Sequence, residues 1–120
     1  MNNIKLKRKN YDLEERTYIF ANRVNTYVRL LPYNICNKEN GRQLVRSSGS
    51  VAANYIEANE CLGKRDFIMR IKISKKEAKE SRLWLRLTKP TKDQVDIKES
   101  LMQEATELMN IFGAIQHKSK

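Results

Sequence analysis

The stretch from Lys64 to Lys89, KRDFIMRIKISKKEAKESRLWLRLTK, contains neither glycine nor proline and is built mostly from good helix formers. Phe67, Ile71, Ser74, Ala78, Ser81, Leu85 and Thr88 recur at alternating steps of four and three. A helix places such residues on one stripe. Ile73 and Trp84 lie beside the stripe, with Met69 and Leu87 at its margin, so the apolar sector is wider than one core contact needs. The opposite side carries Arg65, Lys72, Lys75, Lys76, Lys79, Arg82, Arg86 and Lys89. A helix of this kind packs along one face and meets something acidic along the other.

The charge of the whole chain follows from that helix. The 120 residues hold 24 Lys and Arg against 14 Asp and Glu, a net charge of +10. Lys64–Lys89 alone contributes +7, and the first ten residues add +4 through Lys5, Lys7, Arg8 and Lys9. Asp12–Leu31 and Lys38–Leu62 are each neutral, whereas Pro90–His117 carries −3. A surplus confined to one helix and one arm is the electrostatic footprint of a polyanion binder. A basic helix is also compatible with simple solvation, or with pairing to an acidic neighbour such as the last segment.

Periodicity extends the helical reading to the rest of the chain. Residues 1–10 are polar and basic and read as a flexible arm. Leu13, Thr17, Phe20, Val24, Val28 (or Tyr27) and Leu31 form the stripe of a helix over about 12–31, with Asp12 as N-cap and Pro32 as its stop. A second helix over about 39–62 places Leu44/Val45, Ser48, Ala52, Tyr55/Ile56 and Asn59 inward. It contains the small-residue run Ser47-Ser48-Gly49-Ser50-Val51-Ala52-Ala53. Gly49 within a helix costs about 1 kcal/mol relative to Ala, which close approach to another helix would offset. Ser74, Ala78 and Ser81 are the matching small residues, and Gly63 ends this helix as a C′ residue. After Pro90, Thr91 or Asp93 caps a fourth helix over about 92–116, whose apolar face is Val95, Ile97, Leu101, Met102, Ala105, Leu108, Met109, Phe112 and Ile115. Four helices joined by short loops predict a single all-α domain over 1–120, an antiparallel up-and-down four-helix bundle.

Little in the chain points to catalysis. The single histidine, His117, lies in the C-terminal tail, and Cys36 and Cys61 lack CxxC spacing, so neither a metal site nor an activated thiolate is expected. No phosphate-binding glycine loop is present, and the hydroxyls of Ser47, Ser48 and Ser50 have no nearby histidine. Glu57 and Glu80 are expected towards the interior. A di-metal bundle would need Glu-x-x-His pairs, so a polar network of Arg46, Asn54, Glu57 and Glu80, with Arg70 as a further cation, is the better reading. Lys5, Lys7, Arg8, Lys9, Arg65, Lys72, Lys75, Lys76, Lys79, Arg82, Arg86 and Lys89 are the candidate nucleic-acid contacts, through phosphates and without base-specific readout. Tyr11, Tyr18, Tyr27 and Tyr33 either stack on bases or edge the core. The absence of a secretory pattern and of a bilayer-length apolar run predicts a cytoplasmic protein without a membrane anchor.

The segment Gln43–Ala58, QLVRSSGSVAANYIEA, resembles the second-helix signature of the bacterial four-helix-bundle proteins encoded in 23S rRNA intervening sequences. Asp66-Phe67-Ile68, Lys76–Ser81 and Trp84-Leu85 match that family's third helix, so the likeness spans roughly Tyr11 to Thr88. Ala58 stands where many members carry glycine. The resemblance implies a ring-shaped homopentamer with no known catalytic activity or cofactor. The related accessory variability proteins of diversity-generating retroelements bind nucleic acid and a reverse transcriptase, so RNA, DNA and such a protein partner are the expectations it adds. The alternative is a structural or protein-interaction adaptor whose basic face pairs with a partner or a neighbouring subunit.

Overall fold

The structure, a computed structural model, describes the backbone of residues 2–119 and the side chains of residues 13–119. Four helices occupy it: α1 (Asn2–Arg29), α2 (Ile35–Glu60), α3 (Lys64–Leu87) and α4 (Val95–Lys118), with a 3₁₀ turn at Lys92–Gln94 leading into α4. Among the described residues there is no strand, and no helix is long and apolar enough to cross a membrane.

Contacts between distant residues fix the topology. Arg16 meets Glu104 and Arg23 meets Ser100, so α1 and α4 run antiparallel. Ser47 with Ser81, and Asn54 with Arg70, give the same result for α2 and α3. Arg82 bonds Thr106, and the Lys75 side chain lies over Gly113, so α3 and α4 are antiparallel as well. This is the expected up-and-down bundle. Its core joins Phe20, Val24 and Tyr27 of α1, Leu44, Val51 and Tyr55 of α2, Ile71, Ala78 and Leu85 of α3, and Leu101, Leu108 and Phe112 of α4.

The α3 stripe is inward as its spacing predicts: Ile71, Ser74, Ala78, Ser81, Leu85 and Thr88 are buried and Phe67 packs at the edge. The α2 stripe is rotated by about one position. Leu44 and Tyr55 are buried while Val45 and Ile56 are exposed, and Ser47, Val51 and Ala58 complete the inner face. The close approach of α2 to α3 is real, but serines make it. Ser81 donates to Glu77 O at 2.8 Å, Ser47 and Ser81 are 2.8 Å apart, and Ser74 donates to Val51 O at 3.1 Å. Gly49 takes no part: it is exposed, and a Cβ built there would find nothing within 4 Å.

Three helix boundaries differ from the sequence reading. The α1 backbone is helical from Asn2 instead of forming a flexible arm before residue 12, because Asn2–Tyr11 holds no Gly or Pro and several strong helix formers. The α2 helix starts at Ile35, since the Asn34 side chain accepts from Asn37 N at 2.8 Å and supplies an N-cap upstream of Lys38. Gly63 is not a left-handed C′ residue. Cys61 caps α2, and Gly63 is the extended N-cap of α3.

One end of the bundle is tied by side chains reaching across loops. Asn37 donates to Pro32 O (2.9 Å) and Lys89 O (3.0 Å) and accepts from Lys89 N (2.9 Å). Thr91, not Asp93, forms the capping box with Gln94, whose amide also donates to Tyr27 O at 3.0 Å. Thr88 Oγ1 donates to Leu85 O at 2.7 Å, which leaves its lone pairs to accept from the buried Tyr27 hydroxyl at 2.8 Å.

Two predictions follow from this packing. Gly49→Ala stabilises the fold by about 1 kcal/mol through helix propensity, whereas Ser47→Leu destabilises it by about 1–3 kcal/mol through overpacking; paired thermal melts measure both. Burial raises the Tyr27 pKa above 10. The unfolded chain therefore ionises first, and the stability contributed by neutral Tyr27 is complete below pH 10 and lost as pH rises through the folded pKa. Denaturant titrations above pH 10 show a flatter decline for Tyr27→Phe than for the wild type.

Candidate nucleic-acid interface

Beyond its buried stripe, α3 turns its cations outwards. Arg65, Lys72, Lys75, Lys76, Lys79, Arg86 and, just past the helix, Lys89 are exposed, and Arg82 is half-buried. From Lys72 to Arg86 the helix rises roughly 21 Å, with a cation at every step of one to four residues. Helical spacing aligns them as a row because their separations repeat the turn of the helix.

The row owes its character to where the acids are. Glu104 and Glu107 of α4 face α1, where Arg16 grips Glu104 through two bonds of 2.7 Å and reaches Glu107 at 2.8 Å. The bond to Glu104 holds the Arg16 pKa above its ordinary value. Glu107 is held below the usual carboxylate range by the Gln103 amide and then by Arg16. On α3 itself, Glu77 and Glu80 turn towards α2. Arg46 bonds both oxygens of Glu77 at 3.2 Å and reaches Glu80 at 3.5 Å, which raises its own pKa. Among the described residues, Lys72, Lys75, Lys76, Lys79, Arg82 and Arg86 therefore form no ion pair. The acidic last segment does not neutralise the basic helix.

Alongside the row, α4 offers an almost uncharged edge. Arg82 and Arg86 share a hollow of about 460 Å³ with Glu99, Met102, Gln103 and Thr106. A second hollow of about 450 Å³ lies among Lys72, Ile73, Lys75, Lys76, Lys79 and Gln116. A third, of about 350 Å³, runs outward between Lys76, Lys79, Glu80, Arg82, Leu83 and Arg86. Lys98 sits near the C-terminal end of the row, donating to Thr88 O at 2.8 Å and Arg86 O at 3.3 Å. Burial lowers its pKa, and Lys89 and Arg86 push the same way. An ammonium on the last carbonyls of α3 suits the negative end of that helix.

The polar network exists with a different membership. Arg70 bonds Asn54 Oδ1 at 3.0 Å, Asn54 bonds Ser50 Oγ at 3.0 Å, and Ser50 donates to Glu77 at 3.0 Å, which joins Arg46. Glu77 is its buried acid, Glu80 is half-exposed, and Glu57 is exposed with no part in the network, contrary to the expectation that Glu57 points inward. The reason is helical phase: Glu57 is two residues beyond the buried Tyr55, about 200° round the helix, while Glu77 lies four residues before Ser81 at the α2–α3 seam. The side chains of Lys5, Lys7, Arg8, Lys9 and Tyr11 lie outside the described residues. Tyr27 belongs to the core, whereas Tyr18 and Tyr33 are exposed on other elements than α3. Cys36 and Cys61 are free thiols at opposite ends of α2, and no group of three His, Cys, Asp or Glu side chains converges among the described residues.

Removing Arg46 leaves the Glu77 carboxylate buried with Ser50 as its remaining side-chain donor. Arg46→Ala therefore costs about 1–3 kcal/mol, and Glu57→Ala stays within about 0.5 kcal/mol. Urea unfolding of the two variants separates them.

The description 23S rRNA-intervening sequence protein belongs to a family model that matches residues 9–114. The chain is also similar to a crystal structure from Bacteroides thetaiotaomicron, described as a protein with unknown function from the S23 ribosomal protein family. The identity is 27%, the TM-score 0.70, and the match covers 86% of this chain and 96% of that one. No curated protein matches the chain.

Proposed function

This chain belongs to the 23S rRNA-intervening sequence protein family, and we propose that it is a non-enzymatic bundle that binds RNA or DNA through the α3 cation row. The observation that carries the reading is the unpaired state of that row among the described residues: Glu104 and Glu107 are held by Arg16, Glu77 and Glu80 by Arg46, and Glu99, the α4 acid that shares a hollow with Arg82 and Arg86, forms no ion pair with them. Exposed lysines on a helix face contribute affinity by releasing counterions from phosphates, which is independent of sequence. The N-terminal Lys5, Lys7, Arg8 and Lys9 add to the same positive field in this proposal.

The resemblance to pentameric relatives makes a cytoplasmic homo-oligomer part of it, supported by apolar side chains left exposed on outer faces, among them Ile19, Val45, Ile56 and Leu83. Five copies would raise the net charge to about +50 and strengthen the summed field. The other reading is an adaptor whose basic face pairs with a protein, such as a reverse transcriptase, or with the acidic helix of a neighbouring subunit.

The triple variant Lys75→Gln, Lys76→Gln, Lys79→Gln separates the two. With a fluorescein-labelled RNA hairpin, the slope of log K against log salt is expected to fall by about 2–3, while light scattering shows an unchanged mass. A variant that dissociates with its RNA affinity intact would favour the adaptor, and a wild-type protein that ignores RNA at low salt would remove the nucleic-acid reading.

A further inference from the structure

The cations of the α3 row are not equivalent. The lysines end in freely rotating ammonium groups at exposed positions, which act as point charges on flexible stems. Arg82 is different: it is half-buried, and its Nη1 donates to Thr106 Oγ1 at 3.1 Å. The Thr106 hydroxyl in turn donates to Met102 O at 3.0 Å, so its single proton is already used and a lone pair is aimed at Arg82. The guanidinium is thus held against α4 at one corner. Among the described residues it has no other hydrogen bond and no acid. The rest of its planar donor fork is available, and the fork geometry matches phosphate oxygens.

Arg86 lies one helical turn further along and lines the same hollow of about 460 Å³, together with Gln103 and Met102. Both arginines also line the outer depression that holds Lys76 and Lys79. They therefore stand at the junction of the two hollows, the only two residues common to both. Glu99 is the one acid on the 460 Å³ hollow and comes from α4, and Glu80 on the outer depression is paired with Arg46, which leaves the α3 cations as the place where an anion is favoured.

Resting on the nucleic-acid reading above, we propose that Arg82 and Arg86 form a phosphodiester clamp that fixes the register of the bound strand, with Thr106 as the positioning residue for Arg82. The lysines supply diffuse attraction along the row. The clamp supplies a fixed point, because a guanidinium anchored before binding loses less freedom on contact than a free ammonium does.

Charge-conserving substitutions test this apart from the electrostatics. Binding of the fluorescein-labelled RNA hairpin is measured by anisotropy over a range of salt for the full chain, Arg82→Lys, Thr106→Val and Lys76→Arg. Arg82→Lys keeps the charge but removes the fork, and is expected to weaken binding about tenfold with the salt slope unchanged. Thr106→Val keeps every charge and is expected to weaken it about threefold. Lys76→Arg leaves affinity where it was. If Arg82→Lys and Thr106→Val bind like the wild type while the triple lysine variant loses slope, the row is uniform and the clamp is wrong, although the nucleic-acid reading stands. If the wild type does not bind, both fall together. Thermal melts accompany each variant, and Arg82→Lys, which leaves the core untouched, decides the matter should Thr106→Val fail to fold.

Discussion

Ser47 and Ser81 meet at 2.8 Å across the α2–α3 seam, and much of the molecule follows from that proximity. Two helices whose facing residues are Ser47, Val51, Ser74, Ala78 and Ser81 approach more closely than leucine-lined helices would. Close approach brings hydroxyls within reach of the opposing backbone, as Ser74 with Val51 O shows. It also draws the first carboxylate beside the seam, Glu77, out of solvent. A buried carboxylate is costly unless it is bonded, and Arg46 with Ser50 meets that need. The polar network is therefore a consequence of small-residue packing, and one of its effects is to turn α3's own acids towards α2.

The same logic operates at the other end of the charge ledger. Where α3 meets α4, the contact is made by Arg82 with Thr106 and by the Lys75 stem over Gly113. Neither partner carries a negative charge. The α4 acids Glu104 and Glu107 fall on the side that meets α1, and Arg16 takes both. Charge separation in this bundle thus arises from helical phase: the ion-paired acids lie on the α1 and α2 sides and the cations on the outer α3–α4 side, where α4 contributes Glu99. Opposite charges that could have cancelled along the sequence are kept apart by a rotation of about 100° per residue.

The legible parts of the sequence were those where one signal stood alone. On α3, the four-and-three stripe has no competing phase, so both the buried face and the exposed basic row are legible despite Met69, Leu83 and Leu87 on the outer strip. On α2, adjacent apolar pairs, Leu44/Val45 and Tyr55/Ile56, admit two phases, and the residues that decide between them are serines with no hydrophobic signal. That ambiguity misplaced Gly49 at the contact and put Glu57 inward instead of Glu77. Asn37 and Gln94 were invisible for a different reason. Their bonds to Lys89 and Tyr27 span 52 and 67 residues, and no local pattern marks a side chain that ties distant loops. The capping signal at Thr91 is local, and the sequence offers it beside Asp93, a choice the bond to Gln94 decides.

The position of α3 in the bundle also limits how its cations can be used. A helix that reads sequence enters the major groove and presents base-contacting side chains along a projecting edge. Here α3 is packed against α2 on one side and α4 on the other along its length, so only an outer strip is free. Such a helix can lie against a phosphate backbone but cannot insert between two. The apolar residues on that strip, Met69, Leu83 and Leu87, offer no hydrogen bonds to base edges. On the proposed nucleic-acid reading, recognition at this surface would be confined to charge, to the spacing of phosphates and to the shape of the molecule that carries them.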